Sequence, residues 1–489
     1  MPRPIILNGV PSSLAADAWW LSAIPDDPGL PPTTRAPSGS LPRGLACLML
    51  VLLADLLFWR AELGMSAALF AAAIFAVVIL DKAMCNWQRP AVLLTLAALP
   101  VFHHMQPLSF AFLTVGLVTA LVWAHHPDAM RGTIARSTVR FLSRLPWEWV
   151  IRLNPVRPQA MAAEIGQLRG HLRNWGFPVG GGLVILTLLM EANPVLSSFL
   201  TPDLDLAEGV RRLVFWAGIA LLVAPFLVPL PLEMDGPRRE LVLPSLGLNS
   251  GSVIRALFVF NLLIAIQSVT DLSILLGGAT LPPGMTLAEF AHRGAYPLLA
   301  TAILAGAFAL AARPFLGSYR LIRPLLLLWL GQNVILCAAA AIRLELYIES
   351  FSLTYLRLYA LIWMALVAAG LGLIFWQVLR GRPNGWLLLR SVALGAAVLY
   401  ACCFVNFAQI IAAQNLRKLD PDRTYLCALG PLAAGPILES GLGTIRDGSL
   451  FLGDCRMGLP RTGGWREWGF RTWAASRYVQ RVATAESPR

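Results

Sequence analysis

Charged residues are scarce in this chain, and their scarcity limits what the protein can be. Of 489 residues, 13% are charged and 57% are hydrophobic, whereas a soluble domain carries about 25% charged residues. A water-soluble core of this size could not bury so much apolar surface. Lysine is almost missing, because Lys82 and Lys418 are the only two. The composition therefore argues against an ordinary soluble protein and favours one embedded in lipid.

A nucleic-acid partner is not expected, although the net charge is +12. Proteins that bind nucleic acid concentrate their cations on one polar face. Here the arginines are scattered between apolar runs, a distribution typical of membrane proteins.

Signatures of catalysis and of metal binding are missing as well. The sequence has no GxSxG or HExxH pattern and no CxxC spacing. The pairs His103-His104 and His125-His126 fall on opposite sides of a predicted membrane about 30 Å thick, so they cannot share one ion. We expect no metal and no cofactor, and we expect a non-enzymatic role rather than an enzymatic one.

Apolar runs of spanning length dominate the chain. A backbone that crosses hydrocarbon must satisfy its own hydrogen bonds, so the predicted fold class is all-α, a polytopic transmembrane helical bundle of about eleven spans. The predicted spans are residues 44–61, 65–81, 91–102, 108–124, 177–193, 213–230, 253–272, 295–312, 324–343, 354–379 and 386–411.

These spans divide the chain into five regions. A Pro-rich first stretch, which does not resemble a cleavable signal, is expected to be flexible. The predicted regions are a cytoplasmic N-terminal extension at 1–43, the first four spans at 44–124, a basic cytoplasmic amphipathic segment at 125–176, a seven-span core at 177–412 and a small extramembrane C-terminal tail at 413–489.

Loop cations predict the orientation. With the N-terminus inside, twenty loop cations fall on the inner side and five on the outer side, as the positive-inside rule requires. An odd number of spans then places the C-terminus outside. Residues 426–442 are apolar but contain two prolines, so we do not count them as a span; if they crossed, the C-terminus would lie inside.

A basic amphipathic helix is predicted in the cytoplasmic segment. Arg136, Arg140 and Arg144 recur every four residues and so share one helix face. One interpretation is a helix on the membrane surface, with its arginines on anionic headgroups near residues 131–157. The other is a solvated helix packed on the bundle.

Two of the seven cysteines differ from the rest because they fall in the tail. Cys427 and Cys455 could form a disulfide if the tail faces an oxidising compartment, and the closed loop would stabilise the fold by about 3 kcal/mol. Two unpaired thiols are the alternative, because sequence does not fix connectivity.

The richest polar constellation runs from the seventh predicted span into the eighth. Gln267 and Asp271 share a helix face, and Thr286 with Glu289 fits a capping box. Glu289 and Arg293 are also spaced to pair. The constellation is either an outward-facing mouth, where Asp271, Glu289 and Arg293 meet a ligand, or a well-formed turn and helix cap.

Ionisable residues inside spans are functional hypotheses by default, because hydrocarbon disfavours their charge. Asp55 lies within the first predicted span, away from either interface. Arg357 lies near the outer end of its span, where it could pair with Asp271 or extend to the interface. With Gln267, Glu289 and Arg293, these residues form a possible polar pathway.

Several segments of the second half share the pattern of one protein family. They are Gln267-Ser268-Val269-Thr270-Asp271, the segment Leu281 to Gly294 with its Pro282-Pro283-Gly284, the segment Leu353 to Tyr359, Asn406, and Asp422 to Leu426. In these segments the chain resembles a family of bacterial polytopic membrane proteins, domain of unknown function 4173, which is related to 4153. The resemblance covers roughly the second half, residues 177 to 440, and implies a bacterial membrane location without a mechanism.

We therefore predict a multi-pass protein of the bacterial inner membrane that acts as an envelope sensor, scaffold or assembly factor. The alternative is a transporter or flippase of a small or lipid-linked solute that uses the polar pathway. Transporters commonly show internal repeats, and no convincing repeat occurs here. The expected partners are the lipid bilayer and another membrane protein.

Overall fold

A computed structural model describes residues 43–81, 86–153, 206–228, 249–275 and 287–485, together with isolated residues between 178 and 189. The predicted N-terminal extension and most of the predicted span 177–193 lie outside this part. The described helices are α1 (Arg43–Phe58), α2 (Met65–Asp81), α3 (Gln88–His103), α4 (Pro107–His125), α5 (Arg131–Leu153), α6 (Leu206–Val223), α7 (Ser250–Leu275), α8 (Leu287–Ala312), α9 (Ile322–Phe351), α10 (Tyr355–Arg380), α11 (Asn384–Cys402), α12 (Phe407–Asn415), α13 (Arg423–Ala428), α14 (Ala434–Glu439) and α15 (Phe470–Ala485).

Six helices of the described part are long and apolar enough to cross a bilayer. They are α4, α6 with the 3-10 turn that follows it, α7, α9, α10 and α11. Two shorter apolar helices, Met65–Leu80 and Ala300–Phe315, accompany them. The helical fold is therefore confirmed, and its six long apolar helices are consistent with a multi-pass membrane protein. The total of eleven spans stays a prediction.

One predicted span is wrong at its C-terminal end. The segment 386–411 is not a single helix, because α11 ends at Cys402 and α12 begins at Phe407. Asn406 is the N-cap of the new helix, and its side-chain oxygen accepts a hydrogen bond from the Gln409 backbone N–H at 3.3 Å. A cap of this kind marks the start of a separate helix, which hydropathy does not register.

The bundle has two apolar cores. The first lies among α1 to α6 and includes Leu50 and Leu121. Gly116 of α4 allows a close approach to α3, because a Cβ at this position would lie 2.1 Å from the Cβ of Ala97. The second core lies among α7 to α10 and includes Leu257. We call the helices around the first core the first half of the bundle and those around the second core the second half. Helix α11 connects the two halves, since the Tyr400 hydroxyl donates a hydrogen bond of 2.7 Å to a carbonyl oxygen of α3.

Residues 407–485 form a C-terminal module. Three antiparallel strands in the order β1-β2-β3 (Thr444–Arg446, Ser449–Leu452 and Cys455–Gly458) pack with helices α12 to α15. The segment 426–442 is divided into α13, a 3-10 turn at Pro431–Ala433 and α14. These pieces are too short to cross hydrocarbon, so the structure agrees with leaving this segment out of the spans.

The module docks on one end of the bundle, which we call the module end. The Arg466 guanidinium donates a hydrogen bond of 2.9 Å to the carbonyl oxygen of Leu56, near the end of α1. Helix α1 has 16 residues, and Arg43 at its start lies about 20 Å from Leu56 along the helix axis. The first described residue and the module therefore lie at opposite ends of α1. We call the other end the distal end.

Candidate functional site

A buried ion pair joins two apolar helices. Asp271 of α7 and Arg343 of α9 are only 2% and 3% exposed. The Arg343 guanidinium donates to Asp271 Oδ1, and the Gln267 amide donates to the same oxygen at 2.6 Å. The i, i+4 spacing of Gln267 and Asp271 places both on one face of α7, and that face is turned toward α9.

The pair lies near the module end of the membrane. Asp271 is the twenty-second residue of α7, and Arg343 is the twenty-second residue of α9. Each is therefore about 32 Å from the start of its helix, and hydrocarbon is about 30 Å thick. The two helices run in the same direction, so the charges are at matched depth, close to one interface.

The pair can hold α7 and α9 in register. A second polar bond connects the same helices, because the Asn261 amide donates to the Leu325 carbonyl oxygen at 3.1 Å. Buried ion pairs add little net stability, yet removing one partner leaves a costly isolated charge. Asp271 Oδ2 is buried and has no hydrogen-bond partner among the described residues.

Arg357 does not pair with Asp271, so the first of the two hypotheses about this residue is wrong. Its guanidinium donates to the carbonyl oxygens of Phe351 (2.6 Å) and Ser352, and it stacks over the Tyr347 ring at 4.5 Å. Arg357 therefore caps the C-terminal end of α9, where a cation is favoured by the helix dipole. The arginine that binds Asp271 is Arg343 instead.

Asp55 also has a partner on another helix. Its Oδ1 accepts hydrogen bonds from Arg212 Nε at 2.9 Å and from Trp216 Nε1 at 2.8 Å, both on α6. Nearby, Glu208 accepts from Arg60 Nε at 2.9 Å. Asp55 precedes the end of α1 by three residues, so it lies nearer the module end than predicted. This network joins α1 to α6.

The remaining members of the predicted polar pathway are described only in part. Glu289 and Arg293 lie in the first turns of α8, and their side chains are outside the described part of the structure. Thr286 is outside it as well. The capping box and the outward-facing mouth therefore both stay predictions.

The arginine face of α5 is exposed. Arg136, Arg140 and Arg144 are all exposed, while Ile134 and Phe141 on the other side of the helix are buried. The Phe141 ring lies 5.5 Å from that of Phe226, in the 3-10 turn after α6. Helix α5 therefore packs on the distal end of the bundle with its arginines turned outward.

Cys427 and Cys455 are joined by a disulfide in the structure. The bond links α13 to β3 and closes the loop that contains α14 and the first two strands. The other cysteines with described side chains, Cys47, Cys337, Cys402 and Cys403, are free.

Comparison with protein-family models gives a match over most of the chain. The family model described as "Domain of unknown function (DUF4153)" matches residues 65–440, which is more than three quarters of the chain. This chain belongs to the DUF4153 family. No curated protein and no solved structure matches it.

The extent of the DUF4153 match changes one expectation. The resemblance was placed on the second half of the chain, whereas the match begins in α2 and so includes the second apolar core and most of the first. The relationship to family 4153 is confirmed, and the assignment to family 4173 stays a prediction. The Asp271–Arg343 pair lies inside the match, and the module's sheet and α15 lie beyond it.

Sequence reasoning missed the arginines that bind the two carboxylates. Arg343 was placed at the last position of a span, and Arg212 just before the start of another. The hydrophobic residues Leu344, Leu346 and Ile348 continue the apolar pattern beyond Arg343. That continuation was the available signal that α9 extends further and carries Arg343 inside it.

Proposed function

We propose that this protein is a multi-pass protein of the bacterial inner membrane, with its N-terminus inside and its C-terminus outside, and that it acts as a scaffold or assembly factor of the envelope. In this arrangement the module end faces outward and displays the disulfide-bonded module. The distribution of loop cations supports the orientation. The exposed arginines of α5 lie at the distal end, where the positive-inside rule requires cations.

The observation that carries the proposal is that the module binds loops from both halves of the bundle. On the first half, the Met65 backbone N–H donates to the Trp468 carbonyl oxygen at 3.1 Å. Gly64 is needed at this contact, because a Cβ there would lie 2.5 Å from the Glu467 carbonyl carbon. The backbones are therefore in direct contact.

On the second half of the bundle, side chains of the module form hydrogen bonds with backbone groups at the turn between α9 and α10. The Asn415 amide exchanges two hydrogen bonds with the backbone of Leu353, at 2.7 and 2.9 Å. The Tyr425 hydroxyl accepts from the Tyr355 backbone N–H at 3.0 Å. A transporter that opens by rocking one half against the other would have to break one set of these bonds in every cycle. A fixed display platform keeps both.

The arginine face of α5 supports a second part of the proposal, an anionic lipid partner at the distal end. Three exposed arginines at one helix face attract anionic headgroups by about 1 kcal/mol each. Because the opposite face of α5 packs on the bundle, such contacts would hold the bundle against the inner leaflet.

A transporter or flippase is the second candidate, and the buried Asp271–Arg343 pair is the observation that favours it. Ionisable pairs inside membranes often mark ion or substrate pathways. In this candidate the pair would separate and re-form during each cycle, and Asp271→Asn would abolish transport without unfolding the bundle.

The two candidates differ in how the module end moves. Spin labels at Leu63→Cys and Leu419→Cys, two exposed positions on the first half and on the module, report that movement by pulsed electron resonance in lipid nanodiscs. Cys47, Cys85 and Cys402 are first changed to Ala to reduce background labelling. A scaffold gives one narrow distance distribution, which Asp271→Asn leaves unchanged.

Two distance populations that exchange when a proton gradient or the Asp271→Asn variant is introduced would contradict the scaffold and favour the transporter. Protease digestion of tags at the two termini, in vesicles of each orientation, tests the topology separately. Cleavage of both tags from the same side would contradict the proposed orientation.

A further inference from the structure

A second buried arginine lies at the junction of the module and the bundle. Arg471, the second residue of α15, is only 7% exposed. Its Nη2 donates a hydrogen bond of 2.6 Å to the carbonyl oxygen of Cys403, and its Nε is buried without a hydrogen-bond partner among the described residues. No carboxylate in the described part of the chain pairs with it.

The groups around Arg471 carry no opposite charge. His103, His104, Tyr355 and the Cys403 thiol are the titratable groups that interact with it electrostatically. Burial, followed by the charge of Arg471, lowers the pKa of His104 to about 4, so this ring is neutral at neutral pH. His103 Nδ1 is a second buried nitrogen without a hydrogen-bond partner among the described residues.

Helix ends do not compensate the charge either. The C-terminal ends of α3 and α11 meet near Cys403, and each offers about half a negative charge. The N-terminal ends of α4 and α15 meet at the same place and offer the opposite partial charges. Since arginine does not lose its proton in proteins, Arg471 remains a buried cation. An isolated buried charge is costly, so a bound anion would relieve it.

The surroundings point to the kind of anion. Phe404, Phe470 and Trp473, which surround this junction, are exposed by 37%, 48% and 39%. Exposed aromatic rings at the end of a transmembrane bundle are typical of the interface with lipid headgroups. The anion most abundant at that level is phosphate. The guanidinium group of arginine binds phosphate oxygens through two parallel hydrogen bonds, and imidazole N–H groups add a further donor.

We propose that Arg471 and His103 bind a phosphate group at the junction of the module and the bundle. The phosphate belongs either to a phospholipid headgroup or to free inorganic phosphate. Bound there, it joins α15 of the module to the ends of α3 and α11, and so couples module docking to the membrane or to the phosphate supply.

The test uses the full-length protein and has two arms. In the first arm, protein stripped of lipid in detergent is melted with increasing inorganic phosphate against chloride at equal ionic strength, because a ligand that binds only the folded state raises the melting temperature. In the second arm, native mass spectrometry counts the phosphatidylglycerol molecules that remain on protein released from nanodiscs. Arg471→Gln is compared with Arg477→Gln, an exposed arginine on the same helix.

We expect one of the arms to separate the two variants. If phosphate raises the melting temperature of wild type and of Arg477→Gln but not that of Arg471→Gln, the site binds free phosphate. Loss of one retained phospholipid in Arg471→Gln alone assigns it to a headgroup. If wild type shows neither phosphate stabilisation nor a retained phospholipid, the proposal is wrong. That result comes from wild type alone, so it holds even if Arg471→Gln fails to fold. In that case Arg471→Lys, which keeps the positive charge, replaces Arg471→Gln in the comparison.

Discussion

Removing one partner of the Asp271–Arg343 pair should destabilise the bundle far more than removing both. Asp271→Leu leaves the guanidinium of Arg343, which is 3% exposed, among apolar side chains of α7 and α9. Breaking a buried pair in this way costs about 3–5 kcal/mol, whereas replacing both charges by apolar groups of similar size is nearly neutral. The double variant Asp271→Leu with Arg343→Met should therefore recover most of the stability lost in the single variant.

The magnitude is set by the coupling between the two residues. For residues in one hydrogen-bonded pair, a double-mutant cycle gives an interaction energy of about 0.5–3 kcal/mol. We expect the upper end of that range here, because both side chains are almost fully buried and Gln267 binds the same carboxylate oxygen. Since one single change costs about 3–5 kcal/mol and the double change is nearly neutral, the coupling is at least about 3 kcal/mol, a change of more than about a hundredfold in the unfolding equilibrium.

The assay is reversible unfolding in mixed micelles with an increasing fraction of denaturing detergent, followed by circular dichroism. The matched control is the same cycle with Arg357→Met, because Arg357 binds the carbonyl oxygens of Phe351 and Ser352 instead of Asp271. Coupling between Asp271 and Arg357 should be below about 0.5 kcal/mol. Additive losses for Asp271 and Arg343, or equal coupling in both cycles, would refute the assignment of the pair.

Three other predictions follow from the extramembrane parts. Replacing Cys427 and Cys455 by Ser should lower the free energy of unfolding of the module by about 3 kcal/mol, and chemical denaturation with free-thiol counting measures this loss; an unchanged midpoint would contradict it. The pKa of His104 falls from 6.5 to about 4 in the folded protein. Its contribution to stability is therefore complete above pH 6.5 and is lost as the pH falls toward 4. Over this range, melting curves should show a smaller fall in melting temperature for His104→Phe than for wild type. Changing the three arginines of the α5 face to Gln should weaken retention of anionic lipids by about 1 kcal/mol per residue, as measured by native mass spectrometry. If the Gln variants retain as much lipid as the matching Lys variants, the effect is not one of charge.

The sequence could predict those elements of the fold that are specified by their own residues. An apolar helix is recognised from its own residues, because hydrocarbon penalises each polar group separately; α4, α7 and α10 were placed correctly for this reason. The arginine face of α5 was predicted from four-residue spacing alone. The end of α11 was not, because the start of the next helix depends on the cap formed by Asn406, and hydropathy averages over such a single residue.

The candidate sites required the tertiary structure. Asp271 was singled out from the sequence, but its partner Arg343 lies 72 residues away, and Asp55 and Arg212 are 157 residues apart. Arg471 attracted no attention, because an arginine in a polar tail is ordinary until its neighbours bury it. The sequence by itself determined that the chain is helical and apolar enough to cross a membrane several times, since that property is a sum over residues. Only the packing decided which charges meet and which remain without a counter-charge, because ion pairing depends on distances between helices that no local pattern records.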